Sequence, residues 1–270
     1  MDQYAVFGFP IEHSKSPLIH QQFAEQTQQS LSYKAVEVRP QVFDETLDDF
    51  FRLGGQGVNC TVPLKELAFR KVDTLTRRAE FSCAVNTIKK MPDGSLLGDN
   101  TDGVGLLTDL CENLGLNLKG KRLLVLGAGG ATRGILQPLL EAAPATLYVA
   151  NRTLSKAQAM VSLFEPIGRI DASSYEDLAG HRFDIIINAT SASLSGELPP
   201  LATDLLAKNS VCYDLAYSQE ATAFVLWGEQ QGATLSVDGL GMLAEQAAHA
   251  FKLWRGVMPK TSNVRANLRG

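Results

Sequence analysis

The alternation of apolar and polar positions predicts a chain that switches repeatedly between strand and helix. Leu123–Leu126 is apolar throughout, as expected of a short strand buried on both faces. A glycine-rich turn follows at once, and Ile135–Ala143 then has the apolar spacing of a helix. The further strands predicted after it are Thr146–Ala150, 169–170, Asp184–Asn188, Val211–Asp214 and Thr234–Ser236. Strands that alternate with helices indicate a parallel, doubly wound sheet.

The chain before this sheet also mixes strands and helices, so the fold class is α/β throughout. The strands predicted there are Tyr4–Gly8, Ser32–Val38, Gly57–Asn59 and a hairpin of Cys83–Lys89 with Ser95–Gly98. The predicted helices are Leu18–Gln28, Gln41–Arg52, 65–70, 75–79 and 104–114. Ser16 is the expected cap of the first of these helices, because Pro17 suits a first helical position. A long amphipathic helix is predicted last, over Leu243–Trp254.

The glycine turn has the features of a dinucleotide-binding loop. Gly127 and Gly129 occupy the first two positions of a G-x-G-x-x-G fingerprint, although Thr132 stands at the third. Glycine lets the backbone approach a pyrophosphate closely, and the N–H groups at the helix start favour an anion. The candidate cofactor residues of this turn are Gly127, Ala128, Gly129, Gly130 and Ala131. A tight turn that binds no ligand is the alternative.

The residues after the next strand favour NADP over NAD. An NAD site places Asp or Glu roughly 20 residues beyond the glycines, where it binds the ribose hydroxyls. This chain has Asn151, Arg152 and Thr153 there instead. Arg152 can bind a 2′-phosphate bidentately, with Thr153 and Lys156 in support. Alternatively, Arg152 is only a solvated charge at a strand end.

Composition narrows the class of protein without identifying it. The 270 residues are 45% hydrophobic and 20% charged, which is typical of a globular protein with a sizeable core. A formal net charge of −4 argues against nucleic-acid and membrane partners. The start of the sequence has no signal-peptide pattern, and the cysteines are scattered, so a cytoplasmic location is expected. The histidines form no metal-binding pattern, so no metal is expected.

Several short motifs are shared with one known family. They are Ser14-Lys-Ser16-Pro, Val58-Asn59-Cys-Thr61-Val-Pro-Leu-Lys65, Ala84-Val-Asn86-Thr, Gly98-Asp-Asn-Thr-Asp102-Gly, Asn188-Ala-Thr-Ser191 and Gly239-Leu-Gly-Met242-Leu-Ala-Glu-Gln246-Ala. With these motifs in this order, the chain resembles the shikimate dehydrogenase family along almost its whole length.

The resemblance implies two domains and a specific reaction. A discontinuous α/β substrate domain would comprise residues 1–101 and 238–270, and a Rossmann-like NADP domain would comprise residues 102–237. Family members interconvert 3-dehydroshikimate and shikimate with NADP(H), on the pathway to aromatic amino acids, and catalysis is expected at the cleft between the domains. The sequence leaves monomer and homodimer open.

The chemistry requires a carboxylate anchor, contacts to ring hydroxyls and an acid/base group. Ser14 and Ser16 can direct two hydroxyls at the substrate carboxylate beside a helix start, and the resemblance gives both serines that role. Taken alone, Ser16 could equally be only a cap. By resemblance, Tyr217 assists there, although Ser218-Gln219 departs from the family's usual Asn-Pro. The residues that the resemblance assigns to the ring hydroxyls are Asn59, Thr61, Asn86 and Gln246; alone, each would be taken for a turn or cap residue.

Lys65 and Asp102 are the predicted catalytic pair. A base within hydrogen-bond reach of the reacting hydroxyl accelerates such a reaction about 10²–10⁴-fold. Lys65 is the expected acid/base, and Asp102 is expected to orient it; a structural salt bridge is the alternative. Thr190 and Ser191 follow a strand of the doubly wound sheet, where cofactor contacts are expected. Gly239 and Met242 border the nicotinamide by resemblance only.

Two other functions stay open at this stage. One is a dehydrogenase that prefers quinate or another cyclic hydroxy acid, because ring preference depends on a few hydroxyl contacts. The other is a catalytically inactive module that binds NADP and senses redox state. The presence of both Lys65 and Asp102 counts against the second.

Overall fold

The fold is that of a computed structural model, which describes residues 1–190 and 192–269. These residues divide into two compact units. The first unit comprises residues 1–105 and 243–268, and the second comprises residues 106–242 together with residue 269. The first unit is therefore discontinuous in sequence, as the family resemblance implies.

The first unit is built on a mixed six-stranded sheet. Its strands are β1 (Asp2–Gly8), β2 (Leu31–Glu37), β3 (Gly55–Cys60), β4 (Thr74–Leu75), β5 (Thr87–Lys90) and β6 (Leu96–Asp99). Their spatial order is β2-β1-β3-β5-β6-β4, and only the pairs β3–β5 and β5–β6 are antiparallel. The helices that begin in this part of the chain are α1 (Ser16–Thr27), α2 (Phe43–Arg52), α3 (Lys65–Lys71), α4 (Arg77–Ser82) and α5 (Asp102–Thr108).

The core of the first unit lies between this sheet and its helices. Phe7 and Val58 from the sheet pack with Phe43 and Leu47 of α2 in one buried cluster. The apolar spacing of α2 explains this, because positions four apart lie on one face of a helix. Helix α5 continues directly into a π-helical segment, Asp109–Asn113, which belongs to the second unit.

The second unit is a fully parallel, doubly wound sheet. Its strands are β7 (Arg122–Leu126), β8 (Thr146–Ala150), β9 (Ile170–Ser173), β10 (Phe183–Asn188), β11 (Leu206–Asp214) and β12 (Leu235–Val237). Their order is β12-β11-β10-β7-β8-β9. The helices of this unit are α6 (Gly130–Glu141), α7 (Leu154–Phe164) and α8 (Ala223–Gln230). The last two helices, α9 (Leu240–Arg255) and α10 (Ser262–Arg269), belong mostly to the first unit. The predicted Rossmann-like architecture is confirmed.

Several element boundaries differ from the predictions. Leu75 lies in strand β4, not in a helix, because it pairs in parallel with Gly98 of β6. Cys83 is not in a strand; it ends α4 with a left-handed backbone, φ 47°. Helix α1 already includes Ser16, so the residue before the helix is Lys15, which makes no side-chain cap. The cap predicted at Ser16 is therefore wrong.

Candidate active site

Lys65 and Asp102 form a close ion pair in the first unit. Lys65 is the first residue of α3 and Asp102 the first of α5. The Nζ of Lys65 donates to Oδ2 of Asp102 at 2.5 Å. Their side chains are 22% and 10% exposed, so the pair is largely shielded but still reachable from solvent. A substrate could therefore contact the ammonium.

Asn86 holds the other oxygen of this carboxylate. Its Nδ2 donates to Oδ1 of Asp102 at 2.7 Å and to the hydroxyl of Thr101 at 3.0 Å. Its Oδ1 accepts from the backbone N–H of Thr101 at 2.9 Å and from the hydroxyl of Thr87 at 2.8 Å. A side-chain amide has two donors and two acceptor positions, so protein groups occupy all four. Any contact of Asn86 with a substrate would have to replace one of these bonds.

Asp99, three residues before Asp102, has a different environment. Arg78 clamps it with two bonds, from Nε at 2.6 Å and from Nη2 at 2.5 Å. The hydroxyl of Thr76 donates to it as well, at 2.6 Å. Asp99 is wholly buried, so this pair is structural, whereas Asp102 remains partly open.

The remaining predicted substrate residues of this unit differ in how they are hydrogen-bonded. Asn59 donates to the backbone oxygen of Asn86 at 3.1 Å and to the hydroxyl of Thr87 at 2.9 Å. Gln246, on α9, accepts weakly from the hydroxyl of Thr101 at 3.5 Å. Thr61 is half-buried at the end of β3, where its N–H bonds to the backbone of β1. The structure thus links Asn59, Asn86 and Gln246 through the threonines at positions 87 and 101, and Asn86 bonds directly to Asp102.

Ser14 and Ser16 are joined to each other at the start of α1. The hydroxyl oxygen of Ser14 accepts from the N–H of Ser16 at 3.3 Å. Pro17 follows in the first turn, where a backbone N–H is not needed. Tyr217, predicted to act with these serines, belongs to the second unit and is half-buried there; burial raises the pKa of its phenol.

In the second unit, the glycine turn has the shape that close approach of a phosphate requires. Gly127 has φ 98°, and a Cβ there would lie 3.1 Å from the methyl group of Thr190. At Gly129 and Gly130 an added Cβ meets nothing within 4 Å, so the space beside the start of α6 is open. Thr132 is accommodated because its buried hydroxyl donates to the carbonyl of Gly127 at 2.8 Å. These features fit a dinucleotide pyrophosphate.

The end of β8 presents cationic and polar side chains to solvent. Asn151 donates to the backbone oxygen of Thr153 at 2.9 Å, which fixes the loop between them. Arg152, Thr153 and Lys156 are all exposed. Arg152 lies near enough to Tyr175 to oppose the rise that burial causes in the pKa of that phenol. This arrangement fits a 2′-phosphate.

The ends of β10 and β11 are tied together by a buried polar network that the sequence analysis missed. Thr190 donates from its hydroxyl to Asn188 at 2.7 Å, and Asn188 donates to Asp214 at 3.1 Å. Asp214 also accepts from Thr222 at 2.7 Å, and burial raises the pKa of its carboxyl. The network holds the predicted cofactor residue Thr190 in place; Ser191 lies outside the described residues.

Gly239 directly precedes α9, and Met242 lies in the first turn of that helix. The N–H of Gly239 donates to the carbonyl of Ala216 at 3.0 Å, and a Cβ at this position would overlap the backbone of Leu215. Met242 donates from its N–H to the phenol of Tyr213 at 3.1 Å. That phenol donates in turn to the buried carboxylate of Asp109 at 2.7 Å. Tyr213 and Asp109 are 104 positions apart, so no local sequence pattern predicts that they are bonded.

Two further findings concern metals and membranes. Within residues 1–190 and 192–269, no group of three or more His, Cys, Asp or Glu side chains is placed to hold a metal ion. Over the same ranges, no helix has both the length and the apolar character needed to cross a bilayer.

The second unit is thus a Rossmann-like domain with an open glycine turn, and the first unit carries a separate lysine–carboxylate site. Comparison with known families matches residues 6–88 to the shikimate dehydrogenase substrate binding domain and residues 109–196 to the shikimate/quinate 5-dehydrogenase family. Residues 239–269 match the shikimate 5′-dehydrogenase C-terminal domain. The chain belongs to the shikimate dehydrogenase family.

Individual relatives agree over the whole chain. The shikimate dehydrogenase (NADP(+)) of Methylococcus capsulatus is 56% identical over 97% of this chain and 94% of its own length. The crystal structure of an Ael1 enzyme from Pseudomonas putida has a TM-score of 0.94 at 46% identity and covers 99% of this chain and 98% of its own. Shikimate 5-dehydrogenase from Thermus thermophilus, solved in complex with NADP(H) and shikimate, has a TM-score of 0.88 at 34% identity and covers 100% and 99%.

Proposed function

We propose that this chain catalyses the reversible NADP-dependent reduction of 3-dehydroshikimate to shikimate, with Lys65 and Asp102 as the acid/base pair. Membership of the family makes the chain an NADP-dependent oxidoreductase. The observation that carries the finer proposal is the 2.5 Å contact between Lys65 and Asp102, in a pair that is shielded yet still partly exposed.

Lys65 supplies or accepts the proton at the reacting oxygen. In the reducing direction its ammonium donates a proton to the oxygen of the forming alcohol; in the oxidising direction the amine accepts that proton. Asp102 keeps Nζ in position, and Asn86 fixes the carboxylate by bonding its other oxygen. General acid/base catalysis of this kind contributes about 10²–10⁴-fold to the rate.

The other proposed substrate contacts hold the ring in register with Lys65. Ser14 and Ser16 bind the substrate carboxylate at the start of α1, where the helix dipole also favours an anion. Asn59, Thr61 and Gln246 contact ring hydroxyls as uncharged partners. Tyr217 is proposed to assist at the carboxylate.

The proposed cofactor residues are those of the glycine turn and the loop after β8. Backbone N–H groups of residues 127–131 hold the pyrophosphate, and Arg152 with Thr153 and Lys156 holds the 2′-phosphate. Thr190 is proposed to contact the cofactor at the end of β10, and Gly239 and Met242 are proposed beside the nicotinamide. Bound NADP(H) supplies or accepts the hydride.

The same proposal gives the reaction a biological setting. Shikimate and 3-dehydroshikimate are intermediates of aromatic amino acid synthesis. The reaction of this protein is proposed to be one step of that pathway. All four cysteines are free thiols, as is typical of proteins in a reducing compartment. A cytoplasmic location is therefore part of the proposal.

The test is NADPH or NADH formation followed by absorbance, with shikimate or quinate crossed against NADP or NAD. Turnover that is strong only with shikimate and NADP is the expected result. Preference for NAD would overturn the role proposed for Arg152 and its neighbours. Absence of turnover with every pair, together with tight NADP binding, would instead indicate a module that senses redox state.

Quinate is the second candidate substrate, because residues 109–196 match a family described for both shikimate and quinate. Quinate turnover at a rate similar to that of shikimate would favour this alternative. It would leave the roles of Lys65 and Asp102 unchanged, since both substrates are cyclic hydroxy acids.

A further inference from the structure

Tyr33 contacts one of the proposed substrate residues of the first unit, Asn59, although none of the family motifs includes it. It is on the edge strand β2, and its ring stacks on that of His20 at 4.2 Å with an interplanar angle of 8°. Trp254 packs nearby, with the ring centroids 6.2 Å apart. Burial holds the pKa of Tyr33 well above its ordinary value, although the nearby hydroxyl of Ser16 opposes this rise, so the phenol keeps its proton and can donate it in a hydrogen bond.

The phenol donates to a residue of the proposed substrate site. Its Oη lies 2.7 Å from Oδ1 of Asn59, which is 8% exposed. Both Nδ2 hydrogens of Asn59 are already committed, to the backbone oxygen of Asn86 and the hydroxyl of Thr87. Three of the four positions on this amide are bonded, and no hydrogen bond occupies the second lone pair of Oδ1, although the imidazole of His20 lies close to the Asn59 side chain. Any further partner of Asn59 must therefore be a hydrogen-bond donor.

We propose that Tyr33 is a positioning residue for the substrate, which fixes Oδ1 of Asn59 so that it accepts a hydrogen bond from one ring hydroxyl. The inference rests on the proposed function, because it takes the ligand to be a polyhydroxylated ring acid. It adds a selection rule to that function. A ring position that faces Asn59 must carry a hydroxyl, since an ether or a carbonyl has no proton to donate.

The surroundings of Tyr33 explain how its phenol is held in place. His20 covers one face of the ring, and burial lowers the pKa of that imidazole to about 3, which keeps it neutral. Trp254 is itself fixed, because its Nε1 donates to the carbonyl of Ile88 at 2.9 Å. The ring of Tyr33 therefore has little freedom, and its hydroxyl fixes Asn59 from the side opposite the two Nδ2 bonds.

The deciding variant is Tyr33→Phe, which keeps the stacked ring and removes only the hydroxyl. The KM for shikimate should rise about tenfold, because one hydrogen bond in a chain of bonds is lost. The kcat and the KM for NADP should stay within about twofold of the unmodified protein. A merely structural role would lower the thermal midpoint without separating these constants.

Tyr4→Phe is the matched control. Tyr4 is also buried and packs on Trp254, with ring centroids 4.7 Å apart. Its phenol bonds to Arg255 and to none of the proposed substrate residues. All three kinetic constants of this variant should be unchanged. If both variants raise the KM for shikimate equally, general packing is responsible and the inference about Tyr33 is wrong.

A double-mutant cycle tests whether Tyr33 acts through Asn59. In an Asn59→Ala background, Tyr33→Phe should have no further effect on the KM for shikimate. A further tenfold rise in that background would overturn the proposed route. Calorimetric titration with shikimate provides a readout independent of turnover, and there Tyr33→Phe should weaken binding about tenfold.

The two proposals fail in distinguishable ways. If the unmodified protein binds shikimate but does not turn it over, the proposed function fails, while the ratio of binding constants still tests Tyr33. If Tyr33→Phe binds and converts shikimate like the unmodified protein, the inference fails and the proposed function stands. If the unmodified protein does not bind shikimate at all, both are overturned.

Discussion

Asn86 and Asp102 are joined by a hydrogen bond of 2.7 Å that leaves one carboxylate oxygen for Lys65. The carboxylate is therefore held at both oxygens, by an amide on one side and an ammonium on the other. Because Asn86 is in turn bonded to two threonines, the direction in which Asp102 faces is set by a buried network rather than by the ion pair alone. By fixing the carboxylate of Asp102, this network also fixes the position of the Lys65 ammonium that bonds to it.

Replacement of Lys65 by methionine tests the catalytic assignment. The change keeps much of the side-chain volume and removes the proton donor, so kcat should fall by about 10²–10⁴-fold. The dissociation constant for NADP, measured by fluorescence titration, should be unchanged. Lys71→Met is the matched control, because Lys71 lies on the same helix and pairs with Asp48 at 2.8 Å. Near-normal turnover in Lys65→Met would exclude Lys65 as the acid/base.

Replacement of Arg152 by alanine tests the choice of cofactor. Loss of a charged hydrogen bond to a phosphate should raise the KM for NADP about ten- to hundredfold. Turnover with NAD, which has no 2′-phosphate, should change little. Arg169→Ala is the control, because Arg169 is also exposed but precedes β9, at the opposite end of these parallel strands. An equal loss with both cofactors would contradict 2′-phosphate binding by Arg152.

Replacement of Arg78 by methionine should destabilise the first unit without direct effect on the chemistry. Asp99 would be left as a buried carboxylate with its side chain 1% exposed. Since Arg78 itself is 31% exposed, a loss of roughly 3 kcal/mol in the free energy of unfolding is expected, at the low end for buried pairs. Urea denaturation measures it.

Arg52→Met provides the comparison for that experiment. Its partner Asp49 lies at 2.8 Å, but both side chains are more than half exposed, at 69% and 52%. The free energy of unfolding should be almost unaffected, because water already solvates both charges. Equal losses in the two variants would show that burial of Asp99 is not the cause.

His20 should make the stability of the protein depend on pH. Its pKa is about 3 in the fold, because burial penalises the charged form, against about 6.5 in an unfolded chain. Between these values the unfolded state binds one more proton than the folded state. Stability from this residue is therefore complete above pH ~6.5 and is lost as pH falls, by roughly 1.4 kcal/mol per pH unit.

His20→Phe should remove this dependence while it keeps an aromatic ring in the stack. The difference in unfolding free energy between the two proteins should shift steadily in favour of the variant from pH ~6.5 to pH ~4. His13→Gln is the control, since His13 is exposed. Parallel pH profiles for the unmodified protein and His20→Phe would contradict a buried neutral imidazole.

Much of the fold could be predicted from the sequence because its strands and helices have clear patterns. The apolar run Leu123–Leu126 predicts a buried strand, and all four residues are fully buried in β7. The helix predicted at Leu75 is wrong because a two-residue strand has no periodicity to detect, and only pairing with β6 defines it. The cap predicted at Ser16 is wrong because proline is tolerated at either of the first two helical positions. The Ser-Pro pair therefore does not decide whether the serine precedes the helix or begins it.

The candidate site was predictable only where its residues lie within short motifs. Asp99 and Asp102 belong to one motif, and no local pattern predicts that Asp99 is structural, because its partner Arg78 lies 21 positions away. Tyr33 was missed for the same reason, since its bond to Asn59 spans 26 positions. Such partners come together only through sheet pairing and helix packing, which no local pattern records.

The division of the first unit between two distant segments bears on how the chain matures during synthesis. Trp254 fills the space above Gly57, where any Cβ would overlap its ring, and it bonds to Ile88 of β5. During synthesis on a ribosome, residues 1–105 emerge first. The packing of Trp254 on β3 and β5 can form only after residues 243–268 have also emerged. The nucleotide-binding sheet needs no such partner, so it can complete its folding while the substrate unit is still unfinished.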